Sequence, residues 1–375
     1  MSWPIPEIPR LRVVAPVRYG LWGIILLLML AVGTGMALVL RTTPDLLQVV
    51  LYGSLPAFFG WMLLFGAVLN RYERFCTAEQ AWEAASAETR FQWQQWSRKQ
   101  LAVVGNFILT PEPQGIAPLL GKPKEIPAFP DAGRSLSVPS TDIRQLLAKV
   151  DDKFEQQCSG YRPLLGTIYL AGVPAMDLSH YQECVQQQWG LIPTQIESRE
   201  VITSLYDKAA FEGLIMVIAC QCWPAKGGKE AYSEFLSAQL LSSTAFAAQK
   251  KLNVLAGMGR PLPSLPGEIK KDFRVLFEYN RIAKSSMQHL WVTGVSQNVL
   301  TELMMDGRDS PFHFIPENPV HLIDHTFGPP GPLSVFLTSA LLTEATGLTN
   351  SDHIIINQLP EGSAVLYLMT KELHA

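Results

Sequence analysis

Two long apolar runs near the start of the chain, residues 19–40 and 46–69, constrain the fold more than any other part of the sequence. Neither run contains Asp, Glu, Lys, Arg or His. Each has about 20 residues or more, which is the length a helix needs to cross a hydrocarbon core roughly 30 Å thick, and each is longer than the apolar core of a signal peptide. The sequence therefore predicts two membrane-spanning helices.

The segment between the two runs, residues 41–45, is so short that it predicts an antiparallel hairpin with both outer ends on one side of the membrane. Basic residues flank those outer ends, and they are Arg10, Arg12, Arg18, Arg71 and Arg74. The connecting loop carries only Arg41, which Asp45 partly offsets. By the positive-inside rule, we expect a bacterial inner-membrane protein with residues 1–18 as a cytoplasmic arm, 19–72 as the hairpin, and everything that follows in the cytoplasm.

Small residues within the hairpin predict close helix packing. Ala31 and Gly35 form a small-xxx-small pair in the first run, and Gly53, Pro56 and Gly60 interrupt the second. Such positions allow two helix backbones to approach each other. The packing is either confined to the hairpin or extends to a second copy, which would make a homodimer.

Charge and cysteine content exclude some functions. The net charge of −3, with no run of Lys and Arg interleaved with aromatic residues, argues against nucleic-acid binding. Five cysteines without CxxC spacing fit a reducing compartment, and they are Cys76, Cys158, Cys184, Cys220 and Cys222.

The sequence contains no complete nucleotide-binding motif. Gly257-Met-Gly259 does not extend to a dinucleotide motif because Leu262 stands at the position of the third glycine, and the chain has no Walker lysine motif. We therefore predict no cofactor.

Residues 73–140 connect the hairpin to the rest of the chain. Residues 77–100 have helix propensity, 101–109 predict a strand, and the Pro- and Gly-rich stretch 111–139 predicts a linker or an arm laid over a surface. Three tryptophans in the helical part form a recognition face or pack inside the protein, and they are Trp82, Trp93 and Trp96.

Residues 141–375 alternate between strand and helix patterns and predict an α/β domain. Strands are predicted at 165–171, 214–220, 235–241, 245–255, 290–295, 320–323, 353–357 and 364–370. Helices are predicted at 141–156, where Thr141 is the cap, 179–189, 268–287, 297–305 and 332–346, with a turn at Gly227-Gly228. This alternation indicates a mixed sheet covered on both faces, whose last two strands are antiparallel because a short turn joins them. The order of elements also suggests two related halves, the first around the strand at 214–220 and the second around the strand at 320–323.

The passage 324–334, Asp-His-Thr-Phe-Gly-Pro-Pro-Gly-Pro-Leu-Ser, resembles the Gly-His-x-x-Gly-Ala-x-Gly motif of thiolase-fold condensing enzymes, the ketosynthases. Ser233-Glu234 is similar to the Ser-Glu-Gly stretch before one core strand of that family. The resemblance implies a thiolase-like fold, with His325 as the histidine that polarises a thioester carbonyl. It also implies that Gly328 and Gly331 let a loop and a helix approach closely, and it makes Ser334 the fourth residue of a candidate pocket.

The departures from the family pattern predict that condensation activity is lost. The family's nucleophilic cysteine sits at a strand-to-helix elbow before small polar residues, and none of the five cysteines has that setting. The His-Gly-Thr motif should fall near 290–296, where only His289 stands nearby, and the lysine expected near Val320 is missing. Condensation needs a thiolate and two donors for the developing oxyanion. We therefore predict no catalytic residue, or His325 alone if the protein is an enzyme.

Other chemistry is conceivable in the same region. His313, His321 and His325, with Asp324, have spacing that fits metal ligands, but no partner ligand stands elsewhere in the sequence, so we interpret them as structural histidines and predict no metal site. Asp324, His325 and Ser334 are the residue types of a hydrolytic triad, but no Gly-x-Ser-x-Gly elbow presents the serine. The remaining candidates, Cys220 and Cys222, are redox partners or buried small hydrophobic residues.

Three functions follow from these observations. The first is a membrane-anchored, catalytically inactive thiolase-like module that binds a protein partner; the layout is also similar to accessory proteins that escort lipase-type effectors to the type VI secretion apparatus. The second is an acyl-processing enzyme on lipid-linked substrates, with Cys184 or Cys220 as its thiol. The third is a structural component of an envelope complex, in which the hairpin makes the contact.

Overall fold

The computed structural model describes residues 3–6, 8–9, 15–40, 45–121, 125–129, 132–137, 142–174, 177–197, 200–208, 211–223, 232–280, 287–296, 299–301, 320–359 and 361–373. The chain divides into two compact units. One comprises Ile5–Gln92, and the other comprises Met1–Pro4 with Trp93–Ala375. We call them the hairpin unit and the α/β unit.

The hairpin unit is helical. Its helices are α1 (Tyr19–Leu40), the short α2 (Leu46–Val49) and α3 (Leu55–Ser97), with a π-helical turn, Val50–Ser54, between α2 and α3; the last residues of α3, 93–97, belong to the α/β unit. Tyr19–Leu40 and the continuous helical stretch Leu46–Ser97 are each long and apolar enough to cross a membrane. Because α3 continues without a break to Ser97, the separate helix predicted at 77–100 is instead an extension of the second apolar run. The side of the membrane on which each end lies stays a prediction.

Two glycines make the closest contact inside the hairpin. A Cβ atom added to Gly33 would lie 2.6 Å from the carbonyl oxygen of Gly53, and the converse distance is the same. At the next residue of each helix, the hydroxyl groups of Thr34 and Ser54 are 3.1 Å apart. By contrast, a Cβ on Gly35 would meet no described atom within 4 Å. The prediction that Ala31 and Gly35 mediate the packing is therefore wrong for the hairpin itself, because that face of α1 points away from its neighbour.

The α/β unit contains eleven strands among the described residues, joined in one mixed sheet. They are β1 (Gln100–Leu109), β2 (Leu165–Ala171), β3 (Thr194–Ile196), β4 (Leu214–Gln221), β5 (Phe235–Ser243), β6 (Ala256–Gly259), β7 (Leu262–Ser264), β8 (Met287–Thr293), β9 (Val320–Leu322), β10 (Asp352–Gln358) and β11 (Ala364–Thr370). The helices are α4 (Ile143–Gln157), α5 (Leu178–Trp189), α6 (Glu200–Ser204), α7 (Thr244–Lys250), α8 (Ile269–Asn280), α9 (Ile323–Phe327) and α10 (Ser334–Thr349).

The strand order shows two equivalent halves. It runs β3-β2-β4-β5-β1 in the first half and continues β6-β11-β10-β8-β9 in the second, which is the same order read backwards. Each half has three parallel strands followed by two antiparallel ones, and antiparallel pairing of β1 with β6 joins the halves. The predicted antiparallel pairing of the last two strands is confirmed. However, β4 corresponds to β10 and not, as the sequence suggested, to the strand near residue 320.

Alternate side chains of the strands enter two separate cores, as expected for a sheet covered on both faces. Val103, Val217 and Trp291 pack with the buried helix α10 in the first core. Val104 and Ile218 pack in the second core, against residues of α4, α5 and α7. The sheet therefore separates two helical layers, and the face on which a side chain lies decides which groups it can reach.

Several predicted elements need correction. Residues 245–255 do not form a strand but enter α7, because the Ser243 hydroxyl caps the helix by accepting from the Phe246 N–H at 3.2 Å. The helix predicted at 268–287 ends at Asn280, and Met287 already belongs to β8. The N-cap of α4 is Asp142, which accepts from the Arg144 N–H. Thr141, Gly227-Gly228, His313 and most of the helix predicted at 297–305 lie outside the described residues.

Candidate functional site

The passage that resembles the ketosynthase motif forms α9 and the loop into α10. His325 lies in α9, where its side chain is exposed. Its backbone carbonyl accepts a hydrogen bond from the Phe129 N–H at 2.6 Å, so the main chain of this turn is fixed by residues of the Pro-rich stretch. The imidazole itself lies at the surface and is not enclosed in a cavity with a nucleophile.

The two glycines of this loop lie against neighbouring main chain and side chains. Gly328 has a φ of +76°, and a Cβ there would lie 2.5 Å from the carbonyl oxygen of Ala132. A Cβ on Gly331 would lie 2.3 Å from the side-chain amide of Gln221. Glycine is therefore required at Gly328 for the close approach of the Pro-rich stretch and at Gly331 for the close approach of β4.

Gln221, at the end of β4, links three elements at this loop. Its buried amide oxygen accepts from the Leu333 N–H at 3.1 Å, and its NH2 group donates to the Ser233 carbonyl at 2.8 Å. Arg134 covers the same region from the Pro-rich stretch. Its backbone N–H donates to the Ser233 hydroxyl at 2.9 Å, and its guanidinium donates to the Thr326 carbonyl at 3.2 Å. Sequence reasoning identified neither Gln221 nor Arg134, since no motif marks them.

Asp324, His325 and Ser334 do not form a hydrolytic triad. The Asp324 carboxylate accepts from the Thr293 hydroxyl and the Gly294 N–H, and burial raises the pKa of this carboxyl. The buried Ser334 hydroxyl donates to the Asn357 side chain at 3.2 Å. These two side chains therefore connect α9 and α10 to the ends of β8 and β10, while His325 points outwards.

His321 is buried and its ring stacks on Trp291 of the first core, with centroids 4.1 Å apart, whereas His325 is exposed on α9. His321 and His325 therefore do not share one side, contrary to the expectation for metal ligands. The His321 Nδ1 donates to the Leu119 carbonyl at 3.0 Å, and its Nε2 lies 2.9 Å from Nδ1 of His289. Among the described residues, no group of three His, Cys, Asp or Glu side chains is arranged to hold a metal ion.

Three histidines on neighbouring strands, His289, His321 and His353, form what we call the histidine cluster. The Trp291 indole N–H donates to His353 Nδ1 at 3.0 Å, and the His353 ring stacks on His289 with centroids 5.1 Å apart. Burial lowers the pKa of His321 to about 4 and that of His353 to about 3. Sequence reasoning missed the cluster, because it requires knowing that His353 pairs with His289 across β10 and β8.

The thiols of the α/β unit lie on the other face of the sheet from the α9–α10 loop. Cys158, Cys184 and Cys220 belong to the second core, with Cys222 packed against it. The sulfurs of Cys220 and Cys222 are 3.2 Å apart, and the Tyr181 hydroxyl lies 3.8 Å from Cys220. In contrast, Phe327 and Leu333 of the loop belong to the first core. In the ketosynthase pattern the nucleophilic cysteine sits at a strand-to-helix turn. The strand-to-helix turns after β3 and β9 of this chain contain no cysteine.

The three tryptophans considered as a recognition face are divided between the two units. Trp96 packs in the α/β unit under the buried guanidinium of Arg260, which lies 3.8 Å from the ring centroid. Trp93 and Trp3 both make edge contacts with Trp96. Trp82 belongs to the hairpin unit and donates to the Pro9 carbonyl. Packing, not a common exposed face, therefore accounts for Trp93 and Trp96.

Comparison with known proteins identifies the fold. No family model matches the sequence, and no curated protein sequence matches it. Among solved structures, the chain is similar to an oxazolomycin ketosynthase domain from Streptomyces albus (TM-score 0.50, 9% identity, covering 74% of this chain and 96% of that one). It is also similar to a structure of a type II polyketide ketosynthase with its acyl-carrier protein (0.51, 9%, 73% and 100%). The α/β unit has the thiolase-like ketosynthase fold.

A third similar structure is ketosynthase twelve of the bacillaene polyketide synthase from Bacillus amyloliquefaciens (TM-score 0.51, 10% identity, covering 74% of each chain). The predicted fold class is therefore confirmed. At this level of identity, the likeness establishes the fold alone and not the activity. The similarity to accessory proteins of type VI secretion stays a prediction.

Proposed function

We propose that this chain is a membrane-attached, thiolase-like protein that binds a partner protein and does not condense acyl chains. The observation that supports the second half of this proposal is the position of the thiols. Condensation requires a thiolate to carry the acyl group next to the donors that stabilise the oxyanion. Here the sheet lies between the thiols of the α/β unit and the α9–α10 loop that carries His325.

The surroundings of His325 support the same proposal. A histidine that polarises a thioester carbonyl must act in a site from which water is excluded. The His325 ring is exposed, and its neighbours Asp324 and Thr326 are held by structural hydrogen bonds, Thr326 donating to the Pro127 carbonyl at 2.8 Å. The loop is thus built as a surface feature, which suits recognition better than acyl transfer.

The acyl-processing alternative is supported by the fold, since the similar structures are ketosynthases. The two functions make opposite predictions for a thioester or cerulenin-like probe. We expect neither Cys184 nor Cys220 of the folded chain to be labelled, because both side chains are buried in the second core. Mass spectrometry of the intact protein measures this, and the unfolded chain serves as a control in which the thiols must react. Stoichiometric labelling of Cys184 or Cys220 would favour the enzyme.

We expect His325→Ala to leave the free energy of unfolding unchanged within about 0.5 kcal/mol, because the side chain is exposed.

Recovery of the partner identifies the function directly. The full chain in detergent, used as bait, should retain a specific protein. A chain in which residues 19–72 are replaced by an unrelated hairpin of equal length should retain it equally well. Loss of the partner only in the hairpin exchange would instead indicate a structural envelope component.

A further inference from the structure

A groove of about 550 Å³, which we call the β1 slot, lies beside the second half of β1. Its volume is in the range of pockets that hold small ligands or short peptide segments. It lies between α4 and α10, which cover opposite faces of the sheet. Its walls are formed by Asn106, Phe107, Ile108, Lys153, Gln157, Asn253, Val254, Leu255, Thr343, Glu344, Gly347 and Lys371. None of these residues belongs to the α9–α10 loop.

The slot exists because the sheet splits at this point. β6 pairs with β1 only between residues 100 and 103, where Val103 faces Ala256. Leu255 still donates its N–H to the Val103 carbonyl at 2.8 Å, so β1 and the chain before β6 separate only ahead of that residue. Residues 253–255 form a wall of the slot. On its other side, β1 stays paired with β5 as far as Leu109. Among the described residues, the later half of β1 therefore has one edge without a neighbouring strand.

A glutamine side chain occupies part of this edge. The Asn106 N–H donates to Gln157 Oε1 at 2.7 Å, and the Gln157 amide donates back to the Asn106 carbonyl at 3.1 Å. A neighbouring strand would make this same pair of bonds. Because backbone groups of an antiparallel strand alternate sides, the N–H and C=O of Ile108 point to the same edge as those of Asn106. No described residue pairs with Ile108 there.

The charges of the slot favour an acidic occupant. Lys153 and Lys371 lie on its rim, on α4 and after β11 respectively. Glu344 also lines the slot; burial raises the pKa of its carboxyl, while the Ile116 N–H, which donates to it at 3.3 Å, and the charge of Lys153 oppose that rise. Two cations and one partly buried carboxyl leave a net positive rim. In the remaining wall, Asn253 carries an amide group, whereas the Asn106 side chain and the Thr343 hydroxyl are already hydrogen-bonded within the protein.

We propose that the β1 slot receives an extended acidic segment of a partner protein, which pairs with the edge of β1 as an added strand. This mode of recognition gives affinity through main-chain hydrogen bonds and specificity through the side chains that flank them. The incoming strand pairs with Ile108 and displaces the Gln157 amide from Asn106. The proposal rests on the partner-binding function argued above and identifies the site and the chemistry of the segment bound.

Fluorescence anisotropy of labelled peptides with the full chain in neutral-lipid nanodiscs tests the proposal. The probes are Val-Glu-Val-Glu-Val-Glu-Val, the same peptide N-methylated at alternate residues, and Val-Lys-Val-Lys-Val-Lys-Val. We expect saturable binding of the acidic peptide, and at least about tenfold weaker binding of the other two, because one lacks main-chain donors and the other has the wrong charge. Hydrogen exchange at the Ile108 amide should slow when the acidic peptide is bound.

Substitutions of residues that line the slot test whether the peptide binds there. Lys153→Glu combined with Lys371→Glu should weaken the acidic peptide at least about tenfold, whereas Lys149→Glu, one turn earlier on α4 and outside the slot, should not. Gln157→Ala should tighten binding several-fold, because it removes the internal competitor for Asn106. Equal affinity for the N-methylated peptide, equal effects of Lys149→Glu and the double variant, or no binding up to about 1 mM would each refute the proposal.

The slot and the proposed function can fail separately. If the bait experiment recovers a partner and the Lys153→Glu, Lys371→Glu chain still retains it fully, the slot is not the binding site but the partner-binding function stands. If the unaltered chain recovers no partner, the proposed function fails whatever the peptides do.

Discussion

Lowering the pH from 7 to 5 should destabilise the α/β unit by about 4 kcal/mol through His321 and His353 alone. Their pKa values of about 4 and about 3 in the folded protein lie below the ordinary value of 6.5. In the unfolded chain both histidines take up a proton as the pH falls through 6.5, and in the folded chain they do not. Stability is therefore complete above pH 6.5, and each histidine removes about 2 kcal/mol of it by pH 5.

The hydrogen bonds explain why the histidine cluster stays neutral. Leu119 offers only a carbonyl, so His321 donates to it through Nδ1 and keeps Nε2 free of a proton towards His289. Trp291 offers only an N–H, so His353 must accept it at Nδ1. A further proton on either ring would set two N–H groups against each other in a buried site, where no water compensates for the charge.

Thermal unfolding followed by tryptophan fluorescence between pH 5 and 7 measures this effect. His321→Gln with His353→Gln keeps one donor and one acceptor at each position but cannot be protonated in this range, so the fall in stability should be largely abolished. His180→Gln changes an exposed histidine of α5 and should leave the fall unchanged. The partly buried Asp324 and Glu344, whose pKa values are raised, act in the opposite direction and are common to all these variants. An undiminished fall in the double variant would contradict the prediction.

Replacing Gly294 by alanine should destabilise the fold by more than about 3 kcal/mol. Gly294 follows β8 with a φ of +69°, a conformation that costs an L residue about 1–2 kcal/mol. In addition, the new Cβ would lie 2.1 Å from the carbonyl oxygen of Gln358 at the end of β10. Neither backbone can withdraw easily, because the Gly294 N–H also donates to the partly buried Asp324.

Gly190 provides a matched control for this substitution. It ends α5 with a φ of +74°, but a Cβ there would meet no described atom within 4 Å. Gly190→Ala should therefore cost only about 1 kcal/mol, which is the conformational part of the effect. The midpoints of chemical denaturation of the two variants give the comparison. Equal losses would show that the contact with Gln358 contributes nothing.

Elements with a strong local pattern could be predicted from the sequence. The apolar runs indicated both long helices, the strand at 165–171 has the predicted bounds, and the final antiparallel pair follows from its short turn. The prediction failed where distant residues decide the structure. Residues 245–255 have a strand-like composition, but the cap from Ser243 makes them enter a helix.

The candidate site was less predictable than the fold, because its properties depend on which strands are neighbours. Side chains alternate between the two faces of a strand, so Cys220 and Gln221 of β4 lie on opposite faces of the sheet. Only the sheet topology shows that the α9–α10 loop covers the face on which Gln221 lies. In the same way, the motif located His325 in the chain but could not indicate its exposure. The contact of Gln157 with Asn106 joins residues 51 positions apart and has no signature in the sequence.

The duplicated strand order has a consequence for how such a fold acquires binding sites. The two halves meet where β1 and β6 pair through only four residue pairs. Beyond these pairs the two strands separate, and because the halves match, the separation occurs once in each half. In the second half, the strand breaks at Pro261, whose carbonyl accepts a hydrogen bond from the Trp3 indole at 3.0 Å. In the first half, the Gln157 side-chain amide binds the corresponding strand edge at Asn106. Trp3 therefore covers the strand edge in the second half, whereas the edge in the first half, in the β1 slot, is the one that we propose for a partner segment.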